Sequence, residues 1–289
     1  MNYELPDDLE ITELDISGKN LKNLPDLNKY TKLIKLNCYN NDITSIDNLP
    51  PTLVNLDCSC NDITSLDNLP PNLEYLNCYN NKITSLDNLP PNLQELIIHA
   101  EYNYPLDNLP EGLINLYLSN DTNYDLNNLP NTLELLRSGN KDIKINILPQ
   151  SLKELTLPRY HLYKIDCFPP NLLTLQISYY YNYELDNLPP ILNKLVIAGG
   201  PQEYYNLDVS YSEFNQSINN LPDSITEIEI CVSEYNLKIT KLPNNLDSIM
   251  FHSLAHVPTP DLEIINSGQA MFYCRCMDCK NAFFQQKYM

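Results

Sequence analysis

The sequence predicts an α/β solenoid, a curved horseshoe of short stacked repeats with a parallel β-sheet on its concave face. The first observation is that an apolar-Pro step recurs every 19 or 20 residues through most of the chain. It lies at Leu49, Leu69, Leu89, Leu109, Leu129, Leu148, Phe168 and Leu188. The second is that each copy contains Leu-x-x-Leu-x-(Leu/Ile/Cys), an alternation typical of a short strand with one inward face. One such strand cannot bury its apolar face alone, so the copies must stack.

Twelve repeats can be recognised from this pattern. They begin at Ile11, Leu33, Leu53, Leu73, Leu93, Leu113, Leu133, Leu152, Leu172, Leu192, Ile225 and Leu246. In the best copies the pattern continues to an Asn and an Ile, which is the leucine-rich-repeat signature. A 20-residue repeat with Pro-Pro has no room for a full helix on its convex side. We therefore expect extended, polyproline-like or 3-10 segments there, and few helices.

The spacing also predicts the domain organisation. Residues 1–10 form an amino-terminal cap, and residues 11–261 hold about twelve repeats. The apolar-Pro spacing rises from 20 to 33 residues after Leu188, which indicates an insertion near residues 199–211. Residues 262–289, with their cysteine cluster, are assigned to a carboxy-terminal cap, because a repeat array needs its last exposed core covered.

Charge restricts the choice of partner. The chain has 18 Lys and Arg against 37 Asp and Glu, a formal net charge of −19. Phosphate backbones and anionic lipids repel such a chain, so we expect neither nucleic acid nor membrane as partner, and a protein partner with a basic surface is favoured. The acidic amino terminus has no apolar run, which argues against a signal peptide. We expect a cytoplasmic protein with reduced thiols.

Two kinds of inward turn divide the array. Asn41, Asn61 and Asn81 recur where the chain turns inward, and we expect a structural ladder in which their side chains hydrogen-bond backbone groups left unpaired by the turn. Later repeats lose this Asn and gain an aromatic residue followed by Asn. The copies are Tyr102-Asn103, Tyr181-Asn182 and Phe214-Asn215. We expect the ring to fill the core and the following Asn to take the turn role.

The two kinds of repeat resemble two known groups. Residues 33–93, with PPNLEYLNCYNNKITSL, look like the short proline-containing leucine-rich repeats of secreted bacterial effectors. Residues 93–250 resemble FNIP repeats of social amoebae and of giant DNA viruses of amoebae, most clearly in FNQSINNLPDSITEIEI from Phe214 to Ile230. With the Asn-, Ile- and Tyr-rich usage of an AT-rich coding sequence, the chain is similar to leucine-rich-repeat proteins of such viruses. The resemblance implies a non-enzymatic protein-binding surface, with a host protein as partner in the host cytoplasm.

The resemblance also implies two alternative functions. Some FNIP proteins carry an F-box that recruits a ubiquitin ligase, but only ten residues precede the first repeat here. An adaptor role would therefore need the ligase contact in trans. Some effector relatives carry a large ubiquitin-ligase domain with a catalytic Cys-x-Asp motif. Cys276-Met277-Asp278 matches that motif by letter, but too few residues follow the last repeat for such a domain.

Tyrosines mark the predicted binding surface. Outward positions of the early strands place Tyr39, Tyr75, Tyr79, His99 and Tyr117 on the concave face. Tyrosine offers a large contact area at low entropic cost, so this set resembles a binding surface. The alternative is that tyrosine is common in this chain and pairs across strands.

Two columns of repeated side chains have a binding and a structural interpretation. Cys38, Cys58 and Cys78 could form a metal ladder or act as small buried apolar residues, and the second interpretation is favoured. A column of carboxylates could bind calcium or form Asp-Asn turns facing solvent, and turns are favoured. The column comprises Asp47, Asp67, Asp87, Asp107 and Asp186.

The carboxy-terminal cysteines have the same two interpretations. Cys274, Cys276 and Cys279 could bind zinc with His252 or His256, but a C-x-C-x-x-C run lacks a second paired knuckle, so a capping segment is favoured. The sequence has no phosphate-binding loop, zinc-protease helix or nucleophile elbow. We therefore expect no enzymatic activity and no cofactor.

Overall fold

A computed structural model describes residues 4–98, 106–118, 126, 128–139, 147–158, 161–197, 212–253 and 271–276, with backbone alone for 252, 253 and 271–276. The chain divides into two compact parts, Met1–Ser138 and Gly139–Met289, called here the N-terminal module and the C-terminal module. All regular structure in the described residues is β-strand, with one strand in each of the twelve repeats and one more in residues 262–289.

The part of the N-terminal module that the structure describes has seven short strands in chain order. They are β1 (Glu13–Asp15), β2 (Lys35–Asn37), β3 (Asn55–Asp57), β4 (Tyr75–Asn77), β5 (Glu95–Ile98), β6 (Asn115–Leu118) and β7 (Leu135–Arg137). Each pairs in parallel with the next, and Leu36, Leu56 and Leu76 lie opposite one another. The 20-residue period of the sequence therefore determines which residues lie opposite one another in the sheet.

In its described residues, the C-terminal module has six strands. They are β8 (Glu154–Thr156), β9 (Thr174–Ile177), β10 (Lys194–Ile197), β11 (Glu227–Val232), β12 (Ser248–Ser253) and β13 (Met271–Cys276). All pair in parallel with their neighbours, and Lys194 lies opposite Glu227 across the longer separation. The predicted insertion, 199–211, lies outside the described residues.

Strand β13 was not predicted from the sequence. It lies in the segment assigned to a cap, and its backbone pairs in parallel with β12, Met271 opposite Ser248. The stretch MFYCRC has no Leu-x-x-Leu spacing, and the apolar-Pro step before it, Val257-Pro258, begins 14 residues before Met271, whereas Leu49 lies six residues before Asn55. The repeat signature therefore could not reveal it.

Alternation along each strand separates the core from the solvent-facing side of the sheet. In β3, Leu56 is fully buried while Asn55 and Asp57 on either side remain partly exposed. Leu53 and Ile63 of the same repeat are also fully buried. Each buried aliphatic side chain contributes about 1.5–3 kcal/mol, and every repeat supplies several, so stacking drives the fold.

Proline shapes the return to the next strand. In the third repeat the N–H of Leu53 donates to the carbonyl of Pro50 at 3.1 Å, closing a four-residue turn with Pro51 at its second position. Proline suits that position because its φ is already fixed. The same turn occurs at Pro70, Pro90, Pro110, Pro130, Pro149, Pro169, Pro189, Pro222 and Pro243. The described return segments are turns, bends and irregular backbone without a helix, as predicted for a repeat too short for a convex helix.

Candidate functional site

The solvent-facing side of the N-terminal sheet is the surface that sequence analysis assigned to binding. We call it the sheet face and define it by the third and fifth positions of each repeat. Its members are Glu13, Asp15, Lys35, Asn37, Asn55, Asp57, Tyr75, Asn77, Glu95, Ile97, Asn115, Tyr117, Leu135 and Arg137. Because neighbouring strands are in register, each position forms a column about 4.8 Å apart from strand to strand.

The backbone leaving each early strand is fixed by the side chain at the fifth position. The Oδ1 of Asn37 accepts the N–H of Tyr39 at 3.0 Å, and Asn77 does the same for Tyr79 at 3.1 Å. Asp57 accepts the N–H of Ser59 in the equivalent place. Asn and Asp favour this local turn because the short side chain reaches the backbone two residues on. The turn fixes the backbone that carries Tyr39 and Tyr79.

Tyr75 and Tyr117 are members of the sheet face, whereas Tyr39 and Tyr79 lie just beyond it, two residues after the ends of β2 and β4. Tyr39 is 45% exposed, and Tyr75 and Tyr79 are half-buried. Tyr117 lies on β6, where the guanidinium of Arg137 is 5.5 Å from the centre of its ring. His99 lies outside the described residues.

A shallow depression of about 490 Å³ lies across the first four strands. It is lined by Glu13, Leu14, Asp15, Lys35, Leu36, Asn37, Asn55, Asp57 and Tyr75. Tyr75 is the one member of the predicted tyrosine set that lines it. Sequence analysis did not select the carboxylates of Glu13, Asp15 and Asp57 as site residues, although their alternation with Leu14 and Leu56 was a usable signal.

The carboxylates of the depression are held by neutral donors more than by cations. Asp57 accepts hydrogen bonds from Ser59 Oγ at 2.5 Å and from Asn77 Nδ2 at 3.1 Å. Hydrogen bonds from Ser17 lower the pKa of Asp15. Lys35 forms an ion pair with Glu13, with Nζ 2.8 Å from Oε1. The depression therefore keeps an excess of negative charge at neutral pH.

An asparagine ladder lies behind the sheet face. Asn61 is 8% exposed, and its Nδ2 donates to the carbonyl oxygens of Cys38 and Cys58, both at 3.0 Å. Its Oδ1 accepts the N–H of Ile43 at 3.0 Å. Each such Asn therefore joins its own repeat to the preceding one. Asn41 and Asn81 are buried and form equivalent bonds.

The cysteine column is buried and unreactive in character. Burial raises the pKa of Cys38 and of Cys78 to about 12 and the pKa of Cys58 well above its ordinary value. Cys58 and Cys78 donate weak hydrogen bonds from sulfur to the carbonyls of Asn77 and Ile97 at 3.4 Å. A thiol so disposed to stay protonated is a poor nucleophile and metal ligand. In the described part of the chain, no three His, Cys, Asp or Glu side chains are placed to hold a metal ion.

The aspartate column is engaged by asparagines of the following repeat. Asn88 Nδ2 donates to Asp67 Oδ1, and Asn108 Nδ2 to Asp87 Oδ1, both at 2.7 Å. Asp47 and Asp107 accept the same bond from Asn68 and Asn128. Bonds from Ser65 and Ser85, and from these asparagines, lower the pKa of Asp67 and Asp87.

The C-terminal module replaces the buried Asn with rings. His161, Tyr181, Phe214 and Tyr235 are all fully or almost fully buried. The rings of His161 and Tyr181 stack with their centroids 5.9 Å apart.

An exposed asparagine relay accompanies these rings. Asn182 Oδ1 accepts the N–H of Asn215 at 2.9 Å, and Asn215 Nδ2 donates to Asn236 Oδ1 at 3.0 Å. The predicted pair Tyr102-Asn103 lies outside the described residues. The backbone of Cys274 and Cys276 belongs to β13, and Cys279 lies outside the described residues.

Comparisons with known proteins agree with this architecture. The family model for leucine-rich repeats (2 copies) matches residues 51–91. YopM from Yersinia enterocolitica is similar over 89% of this chain and 58% of its own, with 24% identity and a TM-score of 0.57. The fold is a leucine-rich-repeat solenoid.

Two further solved structures share the fold. The functional domain of InlJ from Listeria monocytogenes, which includes a cysteine ladder, matches 84% of this chain and 59% of its own, with 21% identity and a TM-score of 0.53. TLR13 in complex with ssRNA13 matches 92% of this chain and 43% of its own, with 18% identity and a TM-score of 0.64. The chain therefore spans less than two thirds of the length of these three structures. No curated protein sequence matches it significantly.

Membrane insertion through a helix has no support in the described residues. None of them belongs to a helix long and apolar enough to cross a bilayer.

Proposed function

We propose that the protein is a non-enzymatic interaction module that binds a protein partner on the sheet face of its N-terminal module. Leucine-rich-repeat solenoids typically present the strand side as an extended binding surface. The observation that carries the proposal is a depression across β1–β4, with Tyr75 at its side and Tyr39 exposed on the same array. Partly exposed tyrosine on a fixed backbone supplies contact area at low entropic cost.

Rigidity of the supporting layer favours this role. The ladder of Asn41, Asn61 and Asn81 joins successive repeats, and the local turns at Asn37 and Asn77 fix the chain after each strand. A surface that is ordered before binding loses less entropy when a partner docks. We propose that the buried cysteine column serves this packing, as a structural ladder.

The proposal is tested by replacing Tyr39, Tyr75, Tyr79 and Tyr117 with alanine. Partner capture from host cytosol, quantified by mass spectrometry, should fall by at least tenfold, because interface tyrosines often contribute 1–2 kcal/mol or more each. A double variant, Tyr163→Ala with Tyr179→Ala, removes two partly exposed tyrosines of the C-terminal module and should retain capture. If the circular dichroism spectrum of the fourfold variant matches that of the parent protein, unchanged capture would refute the proposal.

The identity of the captured proteins distinguishes the alternatives. Ubiquitin-ligase subunits among them would support an adaptor that meets its ligase in trans. A ubiquitin discharge assay with Cys276→Ala tests a ligase activity of the chain itself, and we expect the parent protein to show none.

We further propose that the later repeats are of the FNIP type. The support is that Phe214 and Tyr181 fill the core while Asn215 and Asn182 link neighbouring repeats. This matches the aromatic-Asn signature by which the resemblance was recognised.

A further inference from the structure

Three tyrosines lie at diagonal positions around Asp57, on and just beyond the sheet face. They are Tyr39, Tyr75 and Tyr79. Tyr75 lies opposite Asn55, two residues before Asp57, and Lys35 lies opposite Asn55 on the other side. A diagonal neighbour is one strand spacing of about 4.8 Å across and two residues of about 3.3 Å each along, so its Cβ lies about 8 Å from that of Asp57. Aromatic side chains reach across such a distance.

Hydrogen bonds after the strands keep Tyr39 and Tyr79 in the same register. The N–H of Asn40 donates to the carbonyl of Ser59 at 3.0 Å, and the N–H of Cys60 donates to the carbonyl of Tyr79 at 2.8 Å. Tyr39 and Tyr79 therefore flank Ser59 from the two neighbouring repeats. Since Ser59 is two residues after the central carboxylate, both tyrosines take diagonal positions to it.

Two carboxylates of the depression have a lysine nearby. Nζ of Lys35 lies 2.8 Å from Oε1 of Glu13. Hydrogen bonds from Ser17, and to a smaller extent the charge of Lys19, lower the pKa of Asp15. The third carboxylate of the depression is held in a different way.

The described hydrogen bonds to the side chain of Asp57 all come from neutral groups, and they use most of its capacity to accept. Oδ1 accepts the N–H and the hydroxyl of Ser59 at 3.0 and 2.5 Å, and Oδ2 accepts Nδ2 of Asn77 at 3.1 Å. A carboxylate offers about four lone-pair sites, so most of them are occupied. Asp57 therefore offers a ligand negative charge but few acceptors for hydrogen-bond donors.

This combination of charge, rings and occupied acceptors fits a quaternary ammonium group. Arginine and lysine side chains bring several N–H donors, and a donor that finds no acceptor in a partly buried site is costly. A trimethylammonium group has a full positive charge and no donor. Its methyl groups contact the negative faces of aromatic rings favourably, as in aromatic cages that bind methylated lysine.

We propose that Asp57 and the three tyrosines around it bind the trimethylammonium group of a methylated lysine on a protein partner. Asp57 and Tyr75 both line the depression, and Tyr39 is 45% exposed, so a ligand can approach them from solvent. This inference rests on the proposed function and names the chemistry of the partner.

Fluorescence anisotropy with labelled peptides and the full chain tests the ligand chemistry. The probe is the peptide Gly-Gly-Lys-Gly-Gly with its lysine trimethylated, and saturable binding is expected. One comparison peptide has unmodified lysine, which keeps the charge and adds donors, and another has a tert-butyl group in place of trimethylammonium, which keeps the shape without the charge. Both should bind at least fivefold more weakly. Absence of saturable binding by the methylated peptide, or equal affinity for either comparison peptide, would overturn the proposal.

Variants of the chain localise the site. Asp57→Asn removes the charge and keeps the shape, and Tyr39→Leu removes one ring, so each should weaken binding of the methylated peptide about fivefold. Asp87→Asn is the matched control, since it removes one charge from the aspartate column outside the sheet face and should leave affinity within twofold. An equal effect of Asp57→Asn and Asp87→Asn would refute the assignment. Tyr39 is largely exposed, so its variant stays informative if Asp57→Asn proves unstable.

A choline headgroup carries the same chemical group, so a separate experiment distinguishes a lipid from a protein. Phosphatidylcholine vesicles should not co-sediment with the chain, because the phosphate of the headgroup repels a chain with a net charge of −19. Co-sedimentation that Asp57→Asn abolishes would overturn the assignment to a protein partner.

Failure of this inference is separable from failure of the proposed function. If the fourfold tyrosine variant loses protein capture while the methylated peptide never binds, the sheet face is an interface for other chemistry. If capture is unchanged by the tyrosine substitutions, the proposed function itself fails, whatever the peptide does.

Discussion

At the residue scale, the side chain of Asn61 forms hydrogen bonds with backbone groups that lie outside the strand pairing. Asn61 accepts the N–H of Ile43 and donates to the carbonyls of Cys38 and Cys58. Each of these carbonyls accepts a second bond from another ladder residue, Cys38 from Asn41 and Cys58 from Asn81. A carboxamide is suited to this task because it donates and accepts at once from a short stem. Sequence spacing indicated the position, and the hydrogen bonds show how one repeat is joined to the next.

Replacing Asn61 with alanine should therefore be costly. The buried N–H of Ile43 would lose its partner, and the carbonyls of Cys38 and Cys58 would each lose one of two donors. We therefore expect the free energy of unfolding to fall by about 2–4 kcal/mol in urea denaturation. Asn72→Ala is the matched control, because Asn72 is exposed and forms one long bond, 3.5 Å, to the carbonyl of Pro51. It should change stability by less than about 0.5 kcal/mol. Similar losses in both variants would contradict the structural role of the ladder.

The buried cysteines should make the free energy of unfolding fall as the pH becomes alkaline. The folded-state pKa of Cys78 is raised to about 12 from an ordinary value of 9, so the folded state holds this proton more tightly than the unfolded state. The stabilising contribution is complete below pH 9 and is lost as pH rises from 9 towards 12. In urea denaturation over that range, Cys78→Ala should show a shallower decline than the parent protein, by up to about 1.4 kcal/mol per pH unit.

An exposed cysteine supplies the comparison for this pH effect. Cys167 is exposed, so Cys167→Ala should follow the parent curve. Peptide-level mass spectrometry after iodoacetamide at pH 8 should find Cys167 alkylated and Cys38, Cys58 and Cys78 protected until denaturant is added. Rapid alkylation of the buried column in the native protein would argue against the packing described.

At the element scale, the repeat is the unit of the fold because one strand, one turn and one return segment recur in fixed register. Deleting residues 60–79 joins Ser59 to Asn80 and removes one complete period. We expect a folded protein, because the new neighbours present equivalent side chains, and a smaller denaturant m-value for the N-terminal module in proportion to the lost strand. Circular dichroism and urea unfolding measure both.

A half-period deletion provides the control for this experiment. Removing residues 60–69 deletes ten residues and moves the apolar positions out of register with their neighbours, so cooperative unfolding should be lost. If both deletions were equally damaging, the repeats would not be interchangeable modules.

Much of this element-level structure could be predicted from the sequence, and the exceptions have physical reasons. The 20-residue period and the alternation around Leu56 indicate the strands, their register and their buried side. The depression could not be predicted, because it depends on the volumes and orientations of side chains from four repeats. Strand β13 could not be predicted either, because backbone pairing with β12 needs no Leu-x-x-Leu pattern.

One element had a readable signal that sequence analysis left unused. Asp-Asn recurs in register from Asp47 to Asp107, and each Asn lies 21 residues after the Asp that accepts its hydrogen bond. The Asn of each repeat therefore donates to the Asp of the preceding repeat, and the two residue types together form one contact between successive repeats. Considering each Asp-Asn pair as an isolated turn concealed this link.

At the scale of the whole molecule, the net charge of this chain restricts the ligands that it can bind. TLR13 shares the fold in a complex with ssRNA13. This chain has a net charge of −19, and the depression on its sheet face adds local carboxylates. A shared fold at 18% identity does not imply a shared ligand, because the exposed side chains determine what a fold binds.

We therefore expect the protein not to bind RNA. A labelled short single-stranded RNA should show no saturable anisotropy change up to about 100 µM protein at 50 mM salt, the condition that most favours electrostatic attraction. Saturable, salt-sensitive RNA binding would contradict the expectation, drawn from the net charge, that nucleic acid is not a partner.

The pairing of β10 with β11 has a consequence for how this chain can change. Lys194 and Glu227 are 33 residues apart, yet they keep the register that neighbouring repeats keep over 20. The sheet therefore sets no fixed length on the connection between these two strands. Evolution or a protein engineer could lengthen, shorten or exchange that stretch, and graft a foreign epitope or small domain there, while the stacked leucines on either side stay aligned.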